Sequence, residues 1–214
     1  MNPMPSVASG GPAGMMAADL LGCIEASDDA GFDRIYPPAI RGLSAAHWSP
    51  VAIARRAARF LAREPGTRVL DIGCGPGKFC MVGALTTTGL FTGIERRAHL
   101  REIGRKRIAG SGIANAEIQE GNADDVDFTR FDAFYIFNPF AENVGEAPAI
   151  DTTVPLSAGL YATYTGIVAA GLAAAPPGTR VVTYWGACEE VPPGYACVGR
   201  SENGELKFWE KRGD

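Results

Sequence analysis

"VLDIGCGPGKFC", residues 69–80, is an apolar run that reaches an acid, Asp71, and then breaks into glycines at positions 73, 75 and 77 before resuming at Lys78. A buried run, a glycine break and a second apolar run predict strand, tight turn and helix in that order. Such a turn stands at the carboxyl end of its strand, where open α/β sheets bind ligands. Two phosphate-binding patterns fail at this site. A dinucleotide G-x-G-x-x-G starting at Gly73 or Gly75 needs glycine where Lys78 or Cys80 stands, and a Walker loop ending at Gly77-Lys78 needs glycine at Ile72 and a hydroxyl at Phe79. What remains is an acid followed by G-x-G-x-G. Missing side chains let the backbone approach a ligand, and the carboxylate offers itself to a cation. That pairing suits the ammonium of an amino acid better than a phosphate.

Around the turn, strands alternate with helices. "HWSPVAIARRAARFLAREPG" reads as a helix with Ser49 as N-cap, Pro50 in the first position and Pro65-Gly66 beyond its end. Its apolar face is Ile53, Ala54, Ala57, Phe60 and Leu61. "RVLDIG", "LFTGIE", "AEIQEGN", "FDAFYIFNPF" and "TRVVTYWGA" read as five strands. Helices are expected from about Lys78, over "RRAHLREIGRKRIAGSG" and from Pro155 to Ala175, while "YACVGRSENGELKFWEK" reads as a hairpin turning at Asn203-Gly204. The expected fold is α/β: a single doubly wound, mostly parallel seven-stranded sheet with an antiparallel edge hairpin. Residues 1–18, rich in Gly, Pro, Ala and Met, are expected to form a flexible tail, and residues 19–214 a single domain.

Composition limits the partners. A chain of 214 residues with 46% hydrophobic and 21% charged content can bury one sizeable core. It shows neither a membrane-length apolar run nor a basic n-region leading into one, so a soluble, cytoplasmic protein is expected, with no membrane partner. The five cysteines include no C-x-x-C pair, which suits a reducing compartment and argues against structural zinc; no metal is expected. A net charge of −4 gives no general attraction to nucleic acid. The arginines at 55, 56, 59 and 63 and the "RRAHLREIGRKR" helix are read as solvated faces.

"VLDIGCGPG" resembles motif I of the class I S-adenosylmethionine-dependent methyltransferases. Glu95, closing "LFTGIE", stands where that family places the acid that accepts from both ribose hydroxyls. "EGNA" resembles the family's G-D-A segment beside the adenine, with Asn122 in place of the acid; an amide oxygen still accepts from the adenine amino group. The resemblance covers roughly residues 45–210. It implies S-adenosyl-L-methionine as cofactor, S-adenosyl-L-homocysteine as product, and cofactor contacts from Asp71, Gly73, Cys74, Gly75, Gly77, Glu95, Asn122, Ala123 and Asn138.

"YIFNPF" resembles both the Asn-Pro-Pro-aromatic motif of methyltransferases acting on planar nitrogen, with one proline instead of two, and the Asn-containing strand end of the non-SET histone-lysine family. Either likeness makes Asn138, Pro139 and Phe140 the catalytic candidates. The Asn138 oxygen and Pro139 carbonyl can accept the nitrogen's hydrogens, and Phe140 can offer a ring face to the growing cation. Trp48 and Tyr135 are candidate acceptor contacts, and His47 a candidate base. The loop from Ala141 to Thr152 and the N-terminal segment are the pieces free to shape a pocket.

The reading is an N-methylating enzyme whose acceptor is a protein lysine, slightly favoured, or a small amine, with an RNA or DNA base third. The other classes that remain open are a non-catalytic cofactor- or partner-binding module and a nicotinamide-dependent dehydrogenase.

Overall fold

The computed structural model describes residues 15–213. Seven strands form one sheet in the order β3-β2-β1-β4-β5-β7-β6. They are β1 (Arg68–Ile72), β2 (Leu90–Glu95), β3 (Ala116–Glu120), β4 (Ala133–Ile136), β5 (Arg180–Tyr184), β6 (Tyr195–Arg200) and β7 (Leu206–Lys211). The first five are parallel; β7 runs antiparallel between β5 and β6, with a register shift at Cys197/Gly199. This is the expected seven-stranded sheet, and the hairpin turns where Gly204 takes φ +75°. Chain order reverses beside β1, between β2 and β4, which opens the crevice used by ligands in such sheets.

Among the described residues eight α-helices accompany the sheet: α1 (Ala17–Glu25), α2 (Asp29–Asp33), α3 (Pro38–Arg41), α4 (Ser44–His47), α5 (Val51–Leu61), α6 (Lys78–Thr86), α7 (Ala98–Ser111) and α8 (Ala158–Ala174). Strand pleating divides the core. Val69, Tyr135 and Val182 face the helices α1, α5 and α6, whereas Leu70, Phe134 and Val181 face α8. The central strands β1, β4 and β5 are therefore buried on both faces, which is why they read as continuous apolar runs, whereas the edge strand β3 buries only Ile118. No helix among the described residues is long and apolar enough to cross a membrane.

Two expectations change at the N-terminal side. Most of the expected tail, residues 1–14, lies outside the described residues, while Ala17 and Ala18 already belong to α1. Ser49 does not cap α5: its hydroxyl pairs with the Tyr135 hydroxyl at 2.6 Å, and the Val51 N–H donates instead to Asp29 Oδ1 at 2.9 Å. An acid of α2 thus terminates α5 from 22 residues upstream.

The glycine turn is wedged between α7 and β3. A methyl on Gly77, at φ +79°, would stand 2.5 Å from Ile118 Cδ1. One on Gly104, inside α7, would stand 2.7 Å from the Pro76 carbonyl oxygen. Helical glycine is ordinarily weaker than alanine, so the usual sign reverses at Gly104. Gly104→Ala is expected to lower stability by about 1–3 kcal/mol. Gly110→Ala, on the same helix with nothing within 4 Å, is expected to raise it by about 0.5–1 kcal/mol. Urea unfolding of the two variants checks the contrast.

Candidate active site

At the carboxyl end of β1, β2 and β4 lies a cavity of about 570 Å³. Its floor on the β1–β2 side is the glycine turn: Gly73 and Gly75 take φ +74° and +55°, which glycine adopts without strain. A methyl on Gly73 would meet Pro139 Cβ at 2.8 Å, so the turn and the strand end after β4 approach as closely as they do because that side chain is missing.

Glu95 ties β2 to this turn. Its Oε2 accepts from the Gly75 N–H at 2.9 Å and its Oε1 from the Arg97 N–H at 2.7 Å, with the residue 4% exposed. Burial raises its pKa, while the hydrogen bonds from the Arg97 and Gly75 N–H groups favour the ionised form. Each carboxylate oxygen keeps further acceptor capacity toward the cavity it lines. Asn122 and Ala123, after β3, line the same wall.

Across the cavity stand Asn138, Pro139 and Phe140. Asn138 takes φ +38°, an uncommon conformation for a residue with a side chain and rarer still before proline. Its carbonyl accepts from the Ala141 N–H at 3.2 Å, and Gly186 packs against its side-chain amide. Phe140 lies 5.5 Å from Tyr164, centroid to centroid, and is 7% exposed. Two residues not foreseen from sequence join this end: Tyr184, closing β5, and Trp185, at φ +60° and 52% exposed.

The loop after β4 roofs the cavity and is pinned from β2. The Arg97 guanidinium donates to both oxygens of Glu142, at 3.2 and 2.8 Å, and to Asp151 at 3.2 Å. Glu142 in turn accepts from the Ile150 N–H at 2.8 Å, closing the loop on itself. Facing it are Trp48 and His47; burial lowers the His47 pKa, so its imidazole is neutral at pH 7. Trp48 is 5% exposed and its indole N–H has no acceptor among the described residues.

Four expected residues do not line the cavity. Asp71 points from β1 toward α6, on the same pleat as Val69, where the Cys80 thiol donates to it at 3.7 Å. Burial pushes its pKa up to about 8, so the carboxyl is mostly protonated at neutral pH. Tyr135 shares that pleat. It stacks on Phe79 at 3.8 Å with rings 8° apart, 1% exposed, and belongs to the core rather than to an acceptor pocket. Cys74 packs against Gly93, and Gly77 heads α6; both are buried. Their part is to shape the turn from behind.

Lys78, the first residue of α6, is 1% exposed and pairs with Asp29 at 2.7 Å and Asp33 at 2.8 Å. Asp33 also accepts from the Ser44 hydroxyl. Through these pairs α2 and α4 are fastened to the end of the glycine turn, which brings Asp29 to the cavity wall.

Residues 63–151 match a family model described as a methyltransferase domain. The fold of the chain is that of the class I, Rossmann-like methyltransferases. Among solved structures, TrmN from Thermus thermophilus is 23% identical with a TM-score of 0.54, over 74% of this chain and 48% of that one. An RNA methyltransferase from Salinibacter ruber in complex with S-adenosyl-L-homocysteine is 18% identical with a TM-score of 0.54, over 78% and 94%. A mutant of MtNAS in complex with S-adenosylmethionine is 15% identical with a TM-score of 0.52, over 92% and 73%. The chain thus spans about half the length of the Thermus protein and nearly all of the Salinibacter one. No curated protein matches it.

Proposed function

We propose that this chain transfers a methyl group from S-adenosylmethionine to the nitrogen of a small amine. The observation that carries the reading is one cavity lined by the Gly73–Gly75 turn, by Glu95 and Asn122, and by Asn138-Pro139-Phe140. The cofactor fits these residues: the turn lacks the side chains that would fill its cradle, and Glu95 has acceptor capacity left for two ribose hydroxyls. Asn122, which lines the cavity, would accept from the adenine amino group. When bound, the cofactor supplies a methyl carbon on a sulfonium, open to in-line displacement.

The chain's own residues then hold the acceptor. Asn138 Oδ1 and the Pro139 carbonyl accept the amine's hydrogens, which aims its lone pair at the methyl carbon. Trp185 and Glu146, which line the cavity, would offer a ring face and a carboxylate to the positive charge that methylation brings to the nitrogen. The nitrogen's proton leaves to His47, whose imidazole burial keeps neutral.

Size and charge favour a small acceptor. The cavity falls within the range of small-molecule sites and is roofed by the loop after β4 and by α4. Asp29, Glu95, Glu142 and Glu146 line it, and its two arginines, Arg96 and Arg97, directly follow Glu95, with Arg97 bound to two carboxylates. That lining repels a phosphate backbone, which weighs against an RNA acceptor such as the Salinibacter neighbour's name carries.

Calorimetry with S-adenosylhomocysteine, with NAD as control, followed by tritiated-methyl transfer to pools of small amines, lysine peptides and RNA, tests the reading. Label is expected in the amine pool. Asn138→Gly, which removes the amide while tolerating the positive φ, should cut transfer about 100-fold. Binding of NAD alone, or label confined to RNA, would overturn the proposal.

A further inference from the structure

Resting on that function, we propose that two residues upstream of β1 grip the amino-acid end of the cofactor, Asp29 accepting from its ammonium and the Trp48 indole N–H donating to its carboxylate. A free α-amino acid group demands one acceptor for –NH₃⁺ and one donor for –COO⁻, both with unused capacity. Asp71, the acid the motif offers for the first task, is turned away into the α6 side of the core.

Asp29 meets the first demand. Its recorded partners, Lys78 Nζ and the Val51 N–H, both bond to Oδ1, so Oδ2 is unbonded among the described residues. The side chain is 41% exposed and lines the cavity. Lys78 faces Asp33 as well, so one ammonium serves two carboxylates and the corner keeps a net negative charge. The ion pair also fixes the position of Asp29, because Lys78 directly follows the glycine turn.

Trp48 meets the second. A buried N–H without an acceptor is a cost that native structures rarely carry without a use. This one sits beside the turn: a methyl on Gly75 would lie 3.7 Å from Nε1. Tyr36, with ring centroids 4.8 Å apart, holds the indole from behind. An unused donor and an unused carboxylate oxygen lining the same cavity match a zwitterion, and neither a lone cation nor a lone anion would use both.

Calorimetry with two ligands tests the assignment. S-adenosylhomocysteine carries the amino-acid group; 5′-methylthioadenosine keeps the nucleoside and thioether without it. Trp48→Phe and Asp29→Asn should each weaken S-adenosylhomocysteine about tenfold, the usual loss for a hydrogen bond to a charged group, and change methylthioadenosine by less than about twofold. Trp48→Phe leaves the Asp29–Lys78 pair intact, so it decides the matter even if Asp29→Asn fails to fold. Equal weakening of both ligands, or of neither, would overturn the assignment while leaving the proposed function standing. Wild-type protein that binds neither ligand would overturn both.

Discussion

Glu95→Ala is expected to lose S-adenosylhomocysteine binding by at least about 100-fold, beyond ready detection by calorimetry. Two contributions add. The ribose hydroxyls lose a charged acceptor, worth roughly 1.5–3 kcal/mol for each hydrogen bond made to it. The Gly75 and Arg97 N–H groups lose theirs as well, which frees the glycine turn from β2 and removes the geometry that any ligand needs. Glu95→Gln separates the two effects: it keeps an acceptor oxygen for one N–H and gives up the charge, so its loss should be intermediate. An affinity for Glu95→Ala within threefold of wild type would refute this account of the site.

Lys78→Met is the substitution expected to cost most in stability, about 3–5 kcal/mol. The ammonium is 2% exposed at the side chain and lies against two carboxylates, of which Asp33 is itself 10% exposed. Removing one partner leaves buried charge without compensation, and desolvation then exceeds anything the methionine gains by packing near Phe32. Asp33→Asn in the Lys78→Met background should recover part of the loss, since one unpaired charge disappears. Urea unfolding of the three proteins measures this; a loss below about 1 kcal/mol for the single variant would show that water already screens the pair.

The sheet was legible in the sequence because its strands are short apolar runs set off by glycine, asparagine and proline, and because Asn203-Gly204 marks its hairpin. The cavity was legible as far as it rests on backbone turns and strand ends: Gly73, Gly75, Glu95, Asn122 and Asn138 all reach it. Side-chain direction inside a doubly buried strand was not. With both faces apolar, nothing in "VLDI" or "AFYI" says which pleat Asp71 or Tyr135 occupies, and both fall on the α6 side.

The segment from Ala17 to Trp48 was missed for a different reason. Apart from α1, its helices are four or five residues long, too short for a period of 3.6 to declare itself, and Pro37-Pro38 interrupts them. Their hold on the molecule is a set of contacts made at long range, such as Asp29 and Asp33 with Lys78. A lysine following a glycine turn suggests phosphate chemistry to a reader of sequence. Only the fold shows its charge already spent on the protein.

The buried position of Lys78 also bears on where this protein can be divided. The stretch recognisable by family, residues 63–151, contains β1 to β4 but neither β5 nor β7, which complete the sheet on its far side, and none of the helices before β1. Cutting the chain to that stretch would bare the α6-facing core along α5 and leave Lys78 without Asp29 or Asp33. The portion matched by the family model and the portion tied together by these contacts are therefore different lengths of chain, and the ion pair at the head of α6 lies across the boundary between them.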